Sequence, residues 1–168
     1  MEAIIEIVKN KKEESMSVNS NLYSELMPDI EKLVSPLFDA SELFINNRGS
    51  FLPHGAILTQ SGEVEIVAFA PEGFETRKVN APEVLPGLHE ALRKAVKSMD
   101  AIATGVAEDV KITPEGLKRT RAIKVLFEHK KGLTVALYLP WKRKLPGAVE
   151  IGSPITIEAN PEVCAWKN

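Results

Sequence analysis

The sequence predicts an α+β fold, in which a single antiparallel sheet (a hairpin, a helix, then a strand meander) packs against amphipathic helices. Three observations carry this. Residues 120–139, TRAIKVLFEHKKGLTVALYL, hold two apolar runs flanking the polar connection Glu128–Gly132. Ile123, Val125 and Phe127 share one parity in the first run, and Leu133, Val135, Leu137 and Leu139 share one in the second. That period of two, with β-branched residues and a Lys-Gly end to the turn, predicts an antiparallel hairpin with one buried face. Two other stretches repeat at three- and four-residue steps, the stripe of an amphipathic helix: Leu22, Leu26, Ile30, Leu33, Val34 and Leu37, then Leu85, Leu88, Leu92, Ala95, Val96 and Met99. Finally, the element order (helix, two strands, helix, four strands) groups strands into runs, which favours α+β over a parallel βαβ arrangement.

Each element has its own signal. Within residues 1–15, Ile4, Ile5, Ile7 and Val8 suit a short strand or one side of a helix. The first helix is expected over 19–39, kinked or restarted at Pro28 and ended or bent at Pro36, because an interior proline removes a donor and clashes with the preceding turn. Residues 46–53 read as loop. A second hairpin follows, 56–59 and 63–69 about Gln60-Ser61-Gly62, with Val64, Ile66 and Ala68 inward and Glu63 and Glu65 outward. A polar connection spans 71–86, and the second helix runs on from it. Residues 101–107 read as a strand with small residues on one face, and Thr113-Pro114-Glu115-Gly116 as a turn. After the central hairpin comes the turn at 140–147 and a last strand over 148–158, interrupted at Pro154. The expected organisation is one domain, 1–168, with a mainly helical segment at 1–45 and the sheet-and-helix core at 46–168.

At 168 residues, with 44% hydrophobic and 26% charged residues, the chain suffices for a core without staples. The net charge of −2 marks neither a nucleic-acid nor a membrane protein. The N-terminus lacks the pattern of a signal peptide, and no stretch reaches the ~20 apolar residues of a spanning helix. One cysteine, Cys164, excludes an internal disulfide and argues against a cysteine-based metal site. A soluble, cytoplasmic protein with no cofactor and no metal is the expectation.

The order of elements across 55–158 is similar to that of roadblock and profilin-like domains, which implies that hairpin, helix and three-strand meander build one sheet. Phe51-Leu52-Pro53-His54-Gly55-Ala56, followed by Ser61-Gly62-Glu63, resembles small uncharacterised bacterial α+β proteins of the immunity type, some found near toxin–immunity loci. Neither resemblance implies a catalytic residue.

No dinucleotide fingerprint, P-loop, HExxH, CxxC or GxSxG is present. His54, at a strand entrance before Gly55, is the histidine placed for a loop or small-molecule site, against the plainer reading that it shapes that entrance. His89 reads as a helix-edge residue and His129 as an exposed turn residue. Glu63 and Glu65, about 7 Å apart on one strand face, have a separation that suits acid/base work, though alternating glutamates on a wet face are commonplace. Charge is distributed more informatively. Residues 118–144 hold nine basic residues against one acid, Glu128, a local charge of +8 that leaves −10 for the remainder. Hairpin pairing would gather Arg119, Arg121, Trp141, Lys142, Arg143 and Lys144 at one end, with Trp141 as an exposed aromatic platform for an anionic partner. The plainer reading is two solvated turns.

The sequence thus favours a non-enzymatic module docking an acidic or apolar protein surface, the homo-oligomer included. The alternative is a small-ligand sensor, with a pocket between the sheet and the 71–86 connection and room left by Ala101, Ala103, Gly105 and Ala107. A hydrolase built on His54 with Glu63 or Glu65 ranks below both, and so does nucleic-acid binding, because the acidic remainder would repel phosphates.

Overall fold

The computed structural model describes residues 9–144 and 147–167; the ambiguous apolar patch at Ile4–Val8 lies outside them. Among the described residues, two helices and one open antiparallel sheet of seven strands make an α+β protein. The elements in order are α1 (Lys9–Arg48), β1 (His54–Thr59), β2 (Val64–Val67), α2 (Ala81–Met99), β3 (Ala101–Ile112), β4 (Thr120–His129), β5 (Thr134–Arg143), β6 (Val149–Ile151) and β7 (Ile155–Glu158). Strand order is β2-β1-β3-β4-β5-β6, and β7 also pairs with β5. The interruption expected at Pro154 divides β6 from β7, which line up on different lengths of β5.

Pairing fixes which side chains share a face, since residues directly opposite in a ladder point the same way. Ala56, Gly105, Phe127 and Val135 form one row, and His54, Ala107, Val125 and Leu137 a second row on that face. Leu26, Ile30, Leu33, Val34, Leu37 and Ile45 of α1 cover this side and close the main core. Gly105 permits the approach: a Cβ there would lie 2.6 Å from Leu37 Cδ1. The small residues of β3 therefore admit α1 and leave no ligand space under it.

The opposite face is also buried. Ile57 and Val106 meet Val84, Leu88, Leu92 and Val96 of α2. Further along, Val110, Ala122, Leu126, Ala136 and Tyr138 form a third cluster with Ile155 and Ile157. A helix thus lies on each side of the sheet. The central hairpin has two buried faces rather than the one expected, because the segment after β7 covers positions that alternation marked as wet, Glu128 and Lys124 among them. Val125 and Leu137 are core, as expected.

Three boundaries are corrected. α1 is one helix through Pro28 and Pro36 and extends to Arg48, beyond the break at 45. Pro28 is exposed and Pro36 half-exposed, so the carbonyls they release lie toward the outer side of the helix, where the cost of an interior proline is least. α2 begins at Ala81, within the expected connection, because Asn80 and Glu83 form a capping box: Asn80 Oδ1 accepts from the Glu83 amide and the Glu83 carboxylate accepts from the Asn80 amide. β3 runs to Ile112 and β4 through His129, shortening the intervening turns.

Candidate functional site

The hairpin does gather the basic residues. Arg121 pairs with Trp141, Trp141 with Ile151, Lys142 with Glu150 and Arg143 with Val149. Their charges, however, are met from within the chain. Arg121 donates to Asp109 Oδ2 at 2.7 Å and its guanidinium lies 4.3 Å from the Trp141 ring centre, a cation–π contact. Lys142 and Lys144 reach Glu150 at 3.6 and 3.1 Å. The Lys144 hydrogen bond holds the Glu150 carboxyl below its ordinary range. Arg143 donates to the Ile45 carbonyl at 2.8 Å and the Gly147 carbonyl at 3.0 Å, tying the last turns of α1 to the end of β5. Trp141 is not an exposed platform; it is 5% exposed and belongs to the core beneath α1. Arg119, just ahead of β4, is also engaged.

His54 closes the entrance of β1 against the C-terminal part of α1. Its ring packs edge-on against Phe44 and Phe51, with centroids 5.6 and 5.4 Å away. Nδ1 lies 3.2 Å from the Leu52 carbonyl, and Nε2 lies 3.4 Å from Ser41 Oγ. Ser41 is fully buried and donates to the Leu37 carbonyl at 2.7 Å, so its hydroxyl is spent inside the helix. Burial lowers the His54 pKa below 6.5, against a smaller opposing pull from the Leu52 carbonyl. Glu65 lies on the other face of the sheet from His54, and Glu63 follows the far end of β1, about 16 Å along the strand. The three do not converge.

A pH experiment checks this environment. The unfolded chain takes up a proton near pH 6.5, whereas the folded protein resists it to a lower pH. Stability is therefore complete above pH 6.5 and declines as pH falls toward the lowered folded value. The midpoint of urea unfolding should drop more between pH 7.5 and 5 in the native protein than in His54→Asn. Equal drops would mean that His54 ionises freely in the fold.

Two polar groupings are not legible in the sequence. His129 is 6% exposed, not the exposed turn residue expected; its Nε2 lies 3.1 Å from Asp29 Oδ2, a contact between residues 100 positions apart. On the α2 side of the sheet, Lys124 Nζ stands 3.7 Å from both Glu108 and Glu162. Burial raises the Glu108 pKa against the Lys124 charge, and raises that of Tyr138 to about 12. Cross-strand pairing of Glu108 with Lys124 and of Lys124 with Tyr138 explains the cluster. A cleft of about 320 Å³ lies within Ala70–Thr76, and another of about 250 Å³ between the Lys130–Gly132 turn and the C-terminal segment. Neither is lined by Glu108, Lys124, Tyr138 or Glu162. Among the described residues no group of three or more His, Cys, Asp or Glu is placed to hold a metal ion.

Apolar exposure is concentrated elsewhere. Of eight large hydrophobic residues left exposed among the described residues, six fall within residues 43–74: Leu43, Phe44, Leu52, Ile66, Phe69 and Phe74. Ile66, paired with Ala56 on the α1 side, is 60% exposed on the edge strand β2. It was expected to point into the core, but β2 ends the sheet and has no neighbour to cover it. Phe44 stands on the same side, against His54. Phe69 packs on the other side, over Gly87 of α2. Among the described residues no helix is long and apolar enough to cross a membrane. No protein-family model, curated protein or solved structure matches the chain.

Proposed function

We propose that the protein is a non-enzymatic interaction module that holds a protein partner on the apolar surface formed by the end of α1 and the β2 side of the sheet. The observation that carries this is the gathering, among the described residues, of six of the eight exposed large hydrophobic side chains in one 32-residue stretch, 43–74. Exposed apolar side chains gathered on one side of a folded domain mark contact surfaces, and Phe44 and Ile66 share the α1 side of the sheet. The internal pairing of Arg121, Lys142, Arg143 and Lys144 moves the expected docking surface away from the basic end, and with it goes the argument for an acidic partner or nucleic acid. His54, Glu108 and His129 are engaged in packing and internal hydrogen bonds, which suits a scaffold better than a hydrolase. A small-ligand sensor is less favoured, since Leu33 and Leu37 fill the space over Gly105 and the cleft at the 71–86 connection is lined by residues 70–76 without any sheet residue. An immunity-type role in the cytoplasm is the form of this reading that the FLPHGA resemblance supports.

The test is co-purification from the native cell, followed by reconstitution from two purified proteins. The reading expects a stoichiometric complex with a measurable Kd, a second copy of this chain being one acceptable partner. Failure of every candidate to reconstitute would contradict it.

A further inference from the structure

We propose that the outer edge of β2 receives an extended segment of the partner as an added strand, with apolar and basic side chains alternating along that segment. This inference rests on the module reading and specifies the chemistry of its partner.

Among the described residues β2 is the outermost strand, and no strand of theirs pairs with its outer side. Strand addition satisfies such groups with main-chain hydrogen bonds, while alternate side chains supply selectivity. The two faces of β2 differ in what they offer. Val64 and Ile66 point to the α1 side, where Phe44 is also exposed. Glu65 and Val67 point to the α2 side, and Glu63 continues that parity. An added strand would therefore set every second side chain beside Val64 and Ile66, where apolar groups are favoured. The intervening ones would fall beside Glu63 and Glu65, where cations are favoured.

The wider field agrees with this. Residues 49–76 contain four glutamates (Glu63, Glu65, Glu72 and Glu75) and neither lysine nor arginine. The next cation in the sequence, Arg77, is held by Glu83 and by the Glu72 carbonyl, and Lys32 of α1 approaches only the turn, its Nζ 3.4 Å from where a Cβ on Gly62 would lie. Short length and charge are also how proteins guard an edge against aggregation. A guard, however, does not need an isoleucine 60% exposed at the centre of the strand. Glutamates on one face and an open apolar face on the other discriminate against self-pairing through like charge, while leaving the edge open to a basic strand.

The experiment measures fluorescence anisotropy of labelled seven-residue peptides against the full chain. The probes are an alternating lysine–valine peptide, an alternating glutamate–valine peptide, and a block peptide with the lysine–valine composition. The alternating lysine–valine peptide should bind at least tenfold tighter than the other two. Ile66→Lys should weaken it at least tenfold; the side chain is exposed, and circular dichroism verifies that the fold is kept. Glu63→Lys combined with Glu65→Lys should reverse the preference toward the glutamate–valine peptide. No binding, binding indifferent to alternation, or binding unchanged by both variants would overturn the proposal. A reconstituted partner complex that survives both variants would also overturn it while leaving the module reading intact.

Discussion

Truncating Leu126 to alanine is expected to destabilise the protein by about 2–5 kcal/mol, as much as truncating Leu137 on the opposite face. Leu126 is 2% exposed and packs with Ala122, Ala136 and Tyr138 on the side away from α1. A hairpin with one buried face, as alternation alone suggests, would point Leu126 outward and make the same change nearly neutral. The loss expected from two buried faces is a large part of a stability that typically totals about 5–15 kcal/mol. Urea unfolding measures it: a lower midpoint with an unchanged slope supports burial. A loss under ~1 kcal/mol would mean that this face is open.

Replacing Glu128 has the second large effect. Its two carboxylate oxygens accept hydrogen bonds of 2.9 Å from the backbone amides of Val163 and Cys164. The pair anchors the C-terminal segment over the sheet, where Val163 is fully buried and its carbonyl accepts from Arg93. Glu128→Ala strands two amide donors and should cost about 2–3 kcal/mol, within the range for hydrogen bonds to a charged group. Glu128→Gln keeps the shape but turns a carboxamide NH2, itself a donor, toward one of those amides, so it too should lose stability. Amide exchange at Val163 and Cys164 should accelerate in both variants. A glutamine variant as stable and as protected as the native protein would show that the carboxylate is not the anchor.

Legibility in the sequence followed the range of each interaction. Ile123, Val125 and Phe127 against Val135, Leu137 and Leu139 revealed the central hairpin, because strand parity is a local property and the register is set by a short turn. The second helical stripe was equally clear, although its start was misplaced: Asn80 and Glu83 carry a capping-box spacing that the nearby prolines obscured. What failed depends on tertiary packing. Lys124 and Glu128 made one face of β4 look wet, yet both are partnered from the C-terminal segment, by Glu162 in one case and by two backbone amides in the other. The continuity of α1 through Pro28 and Pro36 is maintained by a core stripe running from Leu26 to Ile45, which outweighs the local penalty. At the candidate site, the convergence of Arg121 with Trp141 was readable from hairpin geometry, except that burial of Trp141 required knowing where α1 lies. The pairing of Lys142 with Glu150 was not, because residues 140–147 read as a turn, whereas β5 runs on to Arg143. The exposure of Ile66 was not readable, because alternation cannot distinguish an edge strand from a central one.

Hydrogen–deuterium exchange on the complex reconstituted from purified chain and purified partner tests the location of the docking surface most directly. Slowed exchange is expected across Val64–Val67 and the residues that follow it, with the amides of Trp141–Arg143 unchanged. Protection confined to residues 118–121 and 141–144, with β2 exchanging as in the free protein, would contradict it.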